Sequence, residues 1–213
     1  MNSKPSNYEK MKNLTAATFL ENIQGKKIEK LNLKHNRAYI YINFVGRCYR
    51  VDRSSGKTEW SKDSFKTINE AGYNEVMSIY DVLCYSKDGC RLSGESVGLS
   101  SLSRIKSGNL APKKNFFQGS ADFFSGKIPQ LINACKKMQG EQTSPGDVAY
   151  KLKLFDFLPV SVHFWETDDE FPPSLQIIVD KNILDFMHYE TLMFALSHLF
   201  YRLEEEIKAQ PLR

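Results

Sequence analysis

The residues of this 213-residue chain best placed to do chemistry lie in one stretch: His163, Trp165, Glu166, Asp168, Asp169 and Glu170. Three consecutive carboxylates with an imidazole nearby offer hard oxygen ligands for Mg²⁺, Ca²⁺ or Mn²⁺. They equally suit a carboxyl group held at raised pKa for acid–base work. A structural role competes with that chemistry, because loop aspartates accept hydrogen bonds from backbone N–H groups and Phe171-Pro172-Pro173 fixes the return path. Adjacent residues seldom aim all their carboxylates at one ion, which favours the structural role.

Other constellations carry less. His188 falls near a helix start and His198 ten residues on, off the same face, and no HExxH or comparable ligand pair exists. Cys84 and Cys90, with five residues between them, match no strong metal spacing. Gly119 and Gly126-Lys127 resemble a phosphate loop only superficially: their spacing is too long, and Ile128 stands where Ser or Thr is required. Neither GxSxG nor GxGxxG occurs. The aromatics Tyr39, Tyr41, Phe44 and Tyr49, and later Phe116, Phe117, Phe123 and Phe124, read as core by default. Their functional alternative is the wall of a pocket for a flat cofactor, sought between two halves of the fold.

The elements that position these residues follow from periodicity. Residues 8–24 have Met11, Leu14, Thr18 or Phe19, and Ile23 at helical spacing, with Gly25 as a stop. Alternation over 38–45 and 48–51 predicts a hairpin turning near Gly46-Arg47, and 58–60 a third strand. A helix follows from Tyr73 or Asn74, ended by Asp88-Gly89, and another carries Ile128, Leu131, Ile132, Cys135 and Met138 with Pro129 in its first turn. The Ser-, Gly- and Lys-rich residues 91–118 read as loop, and 140–147 as a linker. A second hairpin spans 160–165 and 175–179. The last helix, Glu190 to Ala209, carries a Leu stripe, and Glu204–Glu206 at its far end oppose the helix dipole and should fray it.

The fold class these elements imply is α+β: an antiparallel sheet of hairpins packed with helices, with residues 1–25 a helical extension and 26–213 a single domain. The order strand, strand, helix occurs twice, which suggests a pseudo-twofold repeat of hairpin-helix units. Bulk numbers agree with a globular protein: 41% hydrophobic, 25% charged and 12% aromatic exclude disordered, collagenous and coiled-coil classes. No signal-type N-terminus or apolar run of membrane length is present, so the sequence predicts a cytoplasmic protein. Four scattered cysteines without a CxxC pair indicate neither a disulfide framework nor a zinc ribbon. Residues 1–60 carry 12 basic and 5 acidic groups, and residues 161–213 carry 4 and 10. Lys26, Lys27, Lys30 and Lys34 read as a solvated basic face, so nucleic acid is not the favoured partner.

The run FLPVSVHFWETDDEFPPSLQIIVDKNILDFMHYETLMFALSHL, preceded by Pro145-Gly146-Asp147, resembles the prokaryotic family of domain of unknown function 3786. The resemblance rests on Gly146, Asp147, Trp165, Asp168, Asp169, Glu170, Phe171, Pro172, Asp180 and Glu190, with a weaker upstream match around 38–51 and 92–102. It implies an origin in anaerobic bacteria or archaea. Relatives with clustered cysteines bind iron–sulfur groups ahead of this domain; no cysteine precedes Cys48 here, so that role is not carried over. The reading is a binding or accessory domain for a small ligand or protein partner, using His163, Trp165, Asp168, Asp169 and Glu170. The alternative is a metal-assisted enzyme using Asp168-Asp169-Glu170 with His163. The residues name no cofactor, ligand or oligomeric state.

Overall fold

The computed structural model describes residues 6–22, 24–102 and 116–211. Ile23 of the first helical stripe and positions 103–115 of the Ser/Gly/Lys-rich stretch lie outside the described residues. The architecture is α+β, with every strand pairing antiparallel. The chain divides into two compact units, Met1–Arg91 with Leu184–Ala195, and Leu92–Ile183 with Leu196–Arg213.

In the first unit, helices α1 (Asn7–Glu21) and α2 (Gln24–Lys30) precede strands β1 (Tyr39–Phe44), β2 (Arg47–Asp52), β3 (Thr58–Ser61) and β4 (Asn69–Glu70), then helix α3 (Tyr73–Tyr85). The strands run in the order β4-β3-β2-β1. Ser6 caps α1 by accepting the Glu9 N–H, but Gly25 lies inside α2 and does not end the first helical segment, which closes at Glu21. The hairpin turns on Val45-Gly46, both at positive φ, so Arg47 pairs with Phe44 and does not belong to the turn. Alternation sends Ile40, Ile42, Phe44, Tyr49 and Val51 into the core, which Phe19 and the α3 residues Val76, Ile79, Tyr80 and Leu83 complete.

The ends of α3 show how polar groups are settled. At its start the Glu75 carboxylate accepts the Gly72 N–H and the Tyr49 hydroxyl proton, with the buried Arg47 at 3.6 Å. At its end no basic residue lies in its own last turn. Instead Lys27 and Lys30 of α2 donate to the Ser86 carbonyl, and Lys30 also donates to the Lys87 carbonyl. Two of the four lysines read as a solvated face are therefore helix caps, and burial lowers the Lys30 pKa.

The second unit contains β5 (Ser96–Gly98), α4 (Gln118–Phe124), α5 (Ile128–Lys137), β6 (Glu141–Gln142), β7 (Val148–Phe155), β8 (Leu158–Trp165) and β9 (Ser174–Asp180). Its strands run β7-β8-β9-β5, with β6 also pairing β7. The expected hairpin is β8–β9, with Val162 opposite Ile177 and Trp165 opposite Ser174. A 3-10 turn, Ile183–Asp185, leads to helix α6 (Tyr189–Lys208), whose residues from Leu196 onward belong to this unit. Phe124, Phe164 and Phe200 meet at ring distances of 6.1 and 6.2 Å in its core. α6 is helical through Lys208, and the acids at its far end are paired: Arg202 with Glu205 and Glu206, and Lys208 with Glu204, at the spacings that place side chains side by side on a helix. Among the described residues no helix is long and apolar enough to cross a membrane.

Candidate functional site

β8 carries Leu158, Val160, Val162 and Phe164 toward the core, so the alternate residues Pro159, Ser161, His163 and Trp165 share the other face. On that face His163 lies between Ala149 of β7 and Gln176 of β9, and its ring is 6.1 Å from Trp165. His163 is nonetheless buried. It is hydrogen-bonded to the Pro145 backbone, and its Nδ1 has no partner among the described residues. Burial lowers its pKa, only partly opposed by the Pro145 bond, so the ring is held neutral.

The segment bearing Pro145 closes on β8 through Gly146, whose φ of +124° suits glycine; a Cβ there would lie 2.9 Å from the Phe164 carbonyl oxygen. Next to it Asp147 accepts the Glu166 N–H at 2.8 Å. Glu166 in turn accepts from the Ser125 hydroxyl, from Gly126 N–H at 2.7 Å and from Thr167 N–H at 2.9 Å. It thereby ties the α4–α5 turn to the end of β8, and these donors depress its pKa against the opposing effect of burial.

The acidic loop divides its labour. Asp168 Oδ1 accepts the N–H groups of Glu170 (2.9 Å) and Phe171 (2.7 Å), and Asp168 N–H donates to the Phe171 carbonyl. The carboxylates of Asp169 and Glu170 make no hydrogen bond or ion pair among the described residues, and both residues are exposed, as is Phe171 at 65%. At the far end of β9, Asp180 accepts from Ser93 N–H and hydroxyl (both 3.0 Å), Gly94 N–H (2.8 Å) and Asn182 N–H (2.8 Å). Among the described residues no three His, Cys, Asp or Glu side chains are grouped to hold a metal ion.

The family profile described as Domain of unknown function (DUF3786) matches residues 26–202. The chain belongs to this family. No curated protein and no solved structure matches it.

Within this DUF3786 domain the aromatics weighed for a cofactor pocket separate. Phe44, Tyr49, Phe117 and Phe124 are core, and Phe116 is exposed. Tyr39 and Tyr41 lie on the opposite face of their strand from the core, where Arg50 sits 4.3 Å from the Tyr39 ring and 4.7 Å from Phe65. Sequence reasoning missed one constellation, in the first unit. Asp81, buried within α3, places Oδ1 2.6 Å from His188 Nδ1, while Oδ2 accepts His188 N–H at 2.6 Å and the Thr191 hydroxyl proton. The available signal was an aspartate embedded in the apolar run Ile79-Tyr80-Asp81-Val82-Leu83, since a buried acid requires a partner.

Proposed function

We propose that this DUF3786 chain is a binding or accessory domain that recognises a protein partner through the β8–β9 loop. One observation carries the reading: of the three consecutive acids only Asp168 bonds the loop backbone through its side chain, which leaves the carboxylates of Asp169 and Glu170 and the Phe171 ring directed to solvent without a structural duty. Two negative charges beside an exposed aromatic fit a basic surface with an apolar notch, where the ring is the anchor and the charges set orientation and encounter rate. Trp165, half-buried at the foot of the loop, extends the contact surface, and His163 and Asp168 hold its shape.

The test compares immobilised wild type with Asp169→Ala/Glu170→Ala/Phe171→Ala in extracts of the source cells, with retained proteins quantified by mass spectrometry. The expected result is a partner retained by wild type, released by salt, and lost from a triple variant of unchanged melting temperature. Equal retention by both proteins overturns the reading. Mg²⁺- or Mn²⁺-dependent stabilisation of wild type, absent from Asp168→Ala, would favour metal-assisted chemistry with His163 instead.

A further inference from the structure

The tip of the β6–β7 hairpin lies across the strand that carries the candidate site, and one side chain fastens it there. β6 pairs with β7 through Glu141 with Lys151 and Gln142 with Tyr150, and the Thr143 N–H donates to the Ala149 carbonyl at 2.9 Å. Residues 144–147 then turn over β8, where a Cβ on Gly146 would lie 2.9 Å from the Phe164 carbonyl oxygen and Asp147 accepts the Glu166 N–H at 2.8 Å. His163, 6% exposed, is bonded to the Pro145 backbone. Proline has no N–H, so the ring donates and the Pro145 carbonyl accepts. Nδ1 has no partner among the described residues, so Nε2 carries the proton and Nδ1 is a buried lone pair.

We propose that residues 143–147 are a pH-released strap over the foot of the β8–β9 loop, with His163 as its catch. A second proton has only Nδ1 to occupy, where it makes a buried N–H without an acceptor on a charged ring, and burial opposes both. The strands beside the ring offer that charge no acid. β7 presents Ala149 opposite it and then Lys151, which faces Glu141 of β6; β9 presents Gln176 between Ser174 and Ile178; β8 itself presents Ser161 and Trp165. At the strand end, Asp147 holds the Glu166 N–H, and Glu166 holds the Ser125, Gly126 and Thr167 donors. The ring therefore takes its proton when the strap lifts, and lifting frees the Glu166 N–H at the foot of the loop. An effect on partner binding rests on the loop reading above; the strap itself does not, and its test involves no partner.

The closed strap holds the ring neutral, and the released ring titrates near its ordinary value of about 6.5, so the opening constant should rise by up to about tenfold as pH falls from 7.5 to 5.5. Amide hydrogen exchange of the full chain, followed by NMR at both pH values and expressed as protection factors, reads this opening. The Thr143 and Glu166 amides, which the strap protects, should be less protected than the Val162 amide within β8 at pH 7.5, and should lose a further factor of about five to ten at pH 5.5. His163→Gln keeps an N–H donor for the Pro145 carbonyl but takes no proton, so its strap protection should be the same at both pH values. Protection at Thr143 and Glu166 equal to that at Val162 overturns the proposal, because the segment then opens only with the whole fold. So does protection unchanged by pH in wild type, or an equal loss in folded His163→Gln. Should that variant not fold, the wild-type comparison decides alone.

Discussion

Replacing Asp180 by alanine tests whether the acidic residues of the last third shape loops. The carboxylate accepts three backbone N–H groups and one hydroxyl, from Ser93, Gly94 and Asn182. Donors of the exposed Ser93-Gly94 turn recover water when the acceptor is lost, so each is worth about 0.5 kcal/mol, and the half-buried Asn182 N–H about 1 kcal/mol. The total is about 2.5 kcal/mol, a melting-temperature drop of roughly 5–10 °C for a chain of this size. Asp180→Asn keeps one acceptor oxygen and should recover about half. The same donors hold the Asp180 pKa below 3.8 against the opposing effect of burial. A carboxylate with a depressed folded-state value stabilises above its unfolded value and loses that contribution as pH falls through the folded value. The difference between wild type and alanine variant in urea unfolding should therefore be full at pH 7 and shrink below about pH 4. Hydrogen exchange at Ser93, Gly94 and Asn182 should accelerate in the variant. Unchanged protection at those amides, with a stability loss below about 0.5 kcal/mol, would refute the reasoning.

Three further outcomes are expected. Gly146→Ala should cost about 1–3 kcal/mol or more, because a side chain at φ +124° is strained and its Cβ meets the Phe164 carbonyl; thermal melting reads this, and a neutral variant would show that the segment relaxes freely. The His163 pKa is lowered below 6.5 by burial, so as pH falls through 6.5 the unfolded chain takes a proton that the folded one refuses and stability declines. His163→Phe should lack that decline between pH 7.5 and 5.5, and an identical slope in both proteins would count against a neutral buried ring. Burial pushes the Cys84 and Cys135 thiols up to about 12, so iodoacetamide at pH 8 should label Cys48 and Cys90 in the native protein and all four cysteines only in denaturant. Comparable native labelling of Cys84 or Cys135 would contradict their burial.

What the sequence disclosed depended on how local the cause was. The β8–β9 hairpin and the α6 stripe were legible because period-two and helical repetition are read within one element. β7 went unread, although Val148, Tyr150, Leu152 and Leu154 alternate with Ala149, Lys151 and Lys153, because it directly follows a Pro-Gly turn that read as linker. At the α6 end the helix dipole is one influence on Glu204–Glu206, and Arg202 and Lys208, which pair with them from one turn away, are another. The lysine caps of α3 and the Asp81–His188 pair join residues 56 to 107 positions apart, and no periodicity reports such contacts.

The acidic residues illustrate the same division at the candidate site. Their clustering in sequence invites a metal, yet Asp147, Glu166, Asp168 and Asp180 each stand where a chain segment turns, and each accepts the backbone N–H groups that such a turn leaves unpaired. A carboxylate oxygen engaged in this way is committed to the backbone that it holds. Chemistry directed outward falls to side chains that the fold does not employ, and in this loop those are Asp169, Glu170 and Phe171. Residue type and spacing identified the loop, but only the hydrogen-bond partners separate the acid that builds it from the acids that it displays.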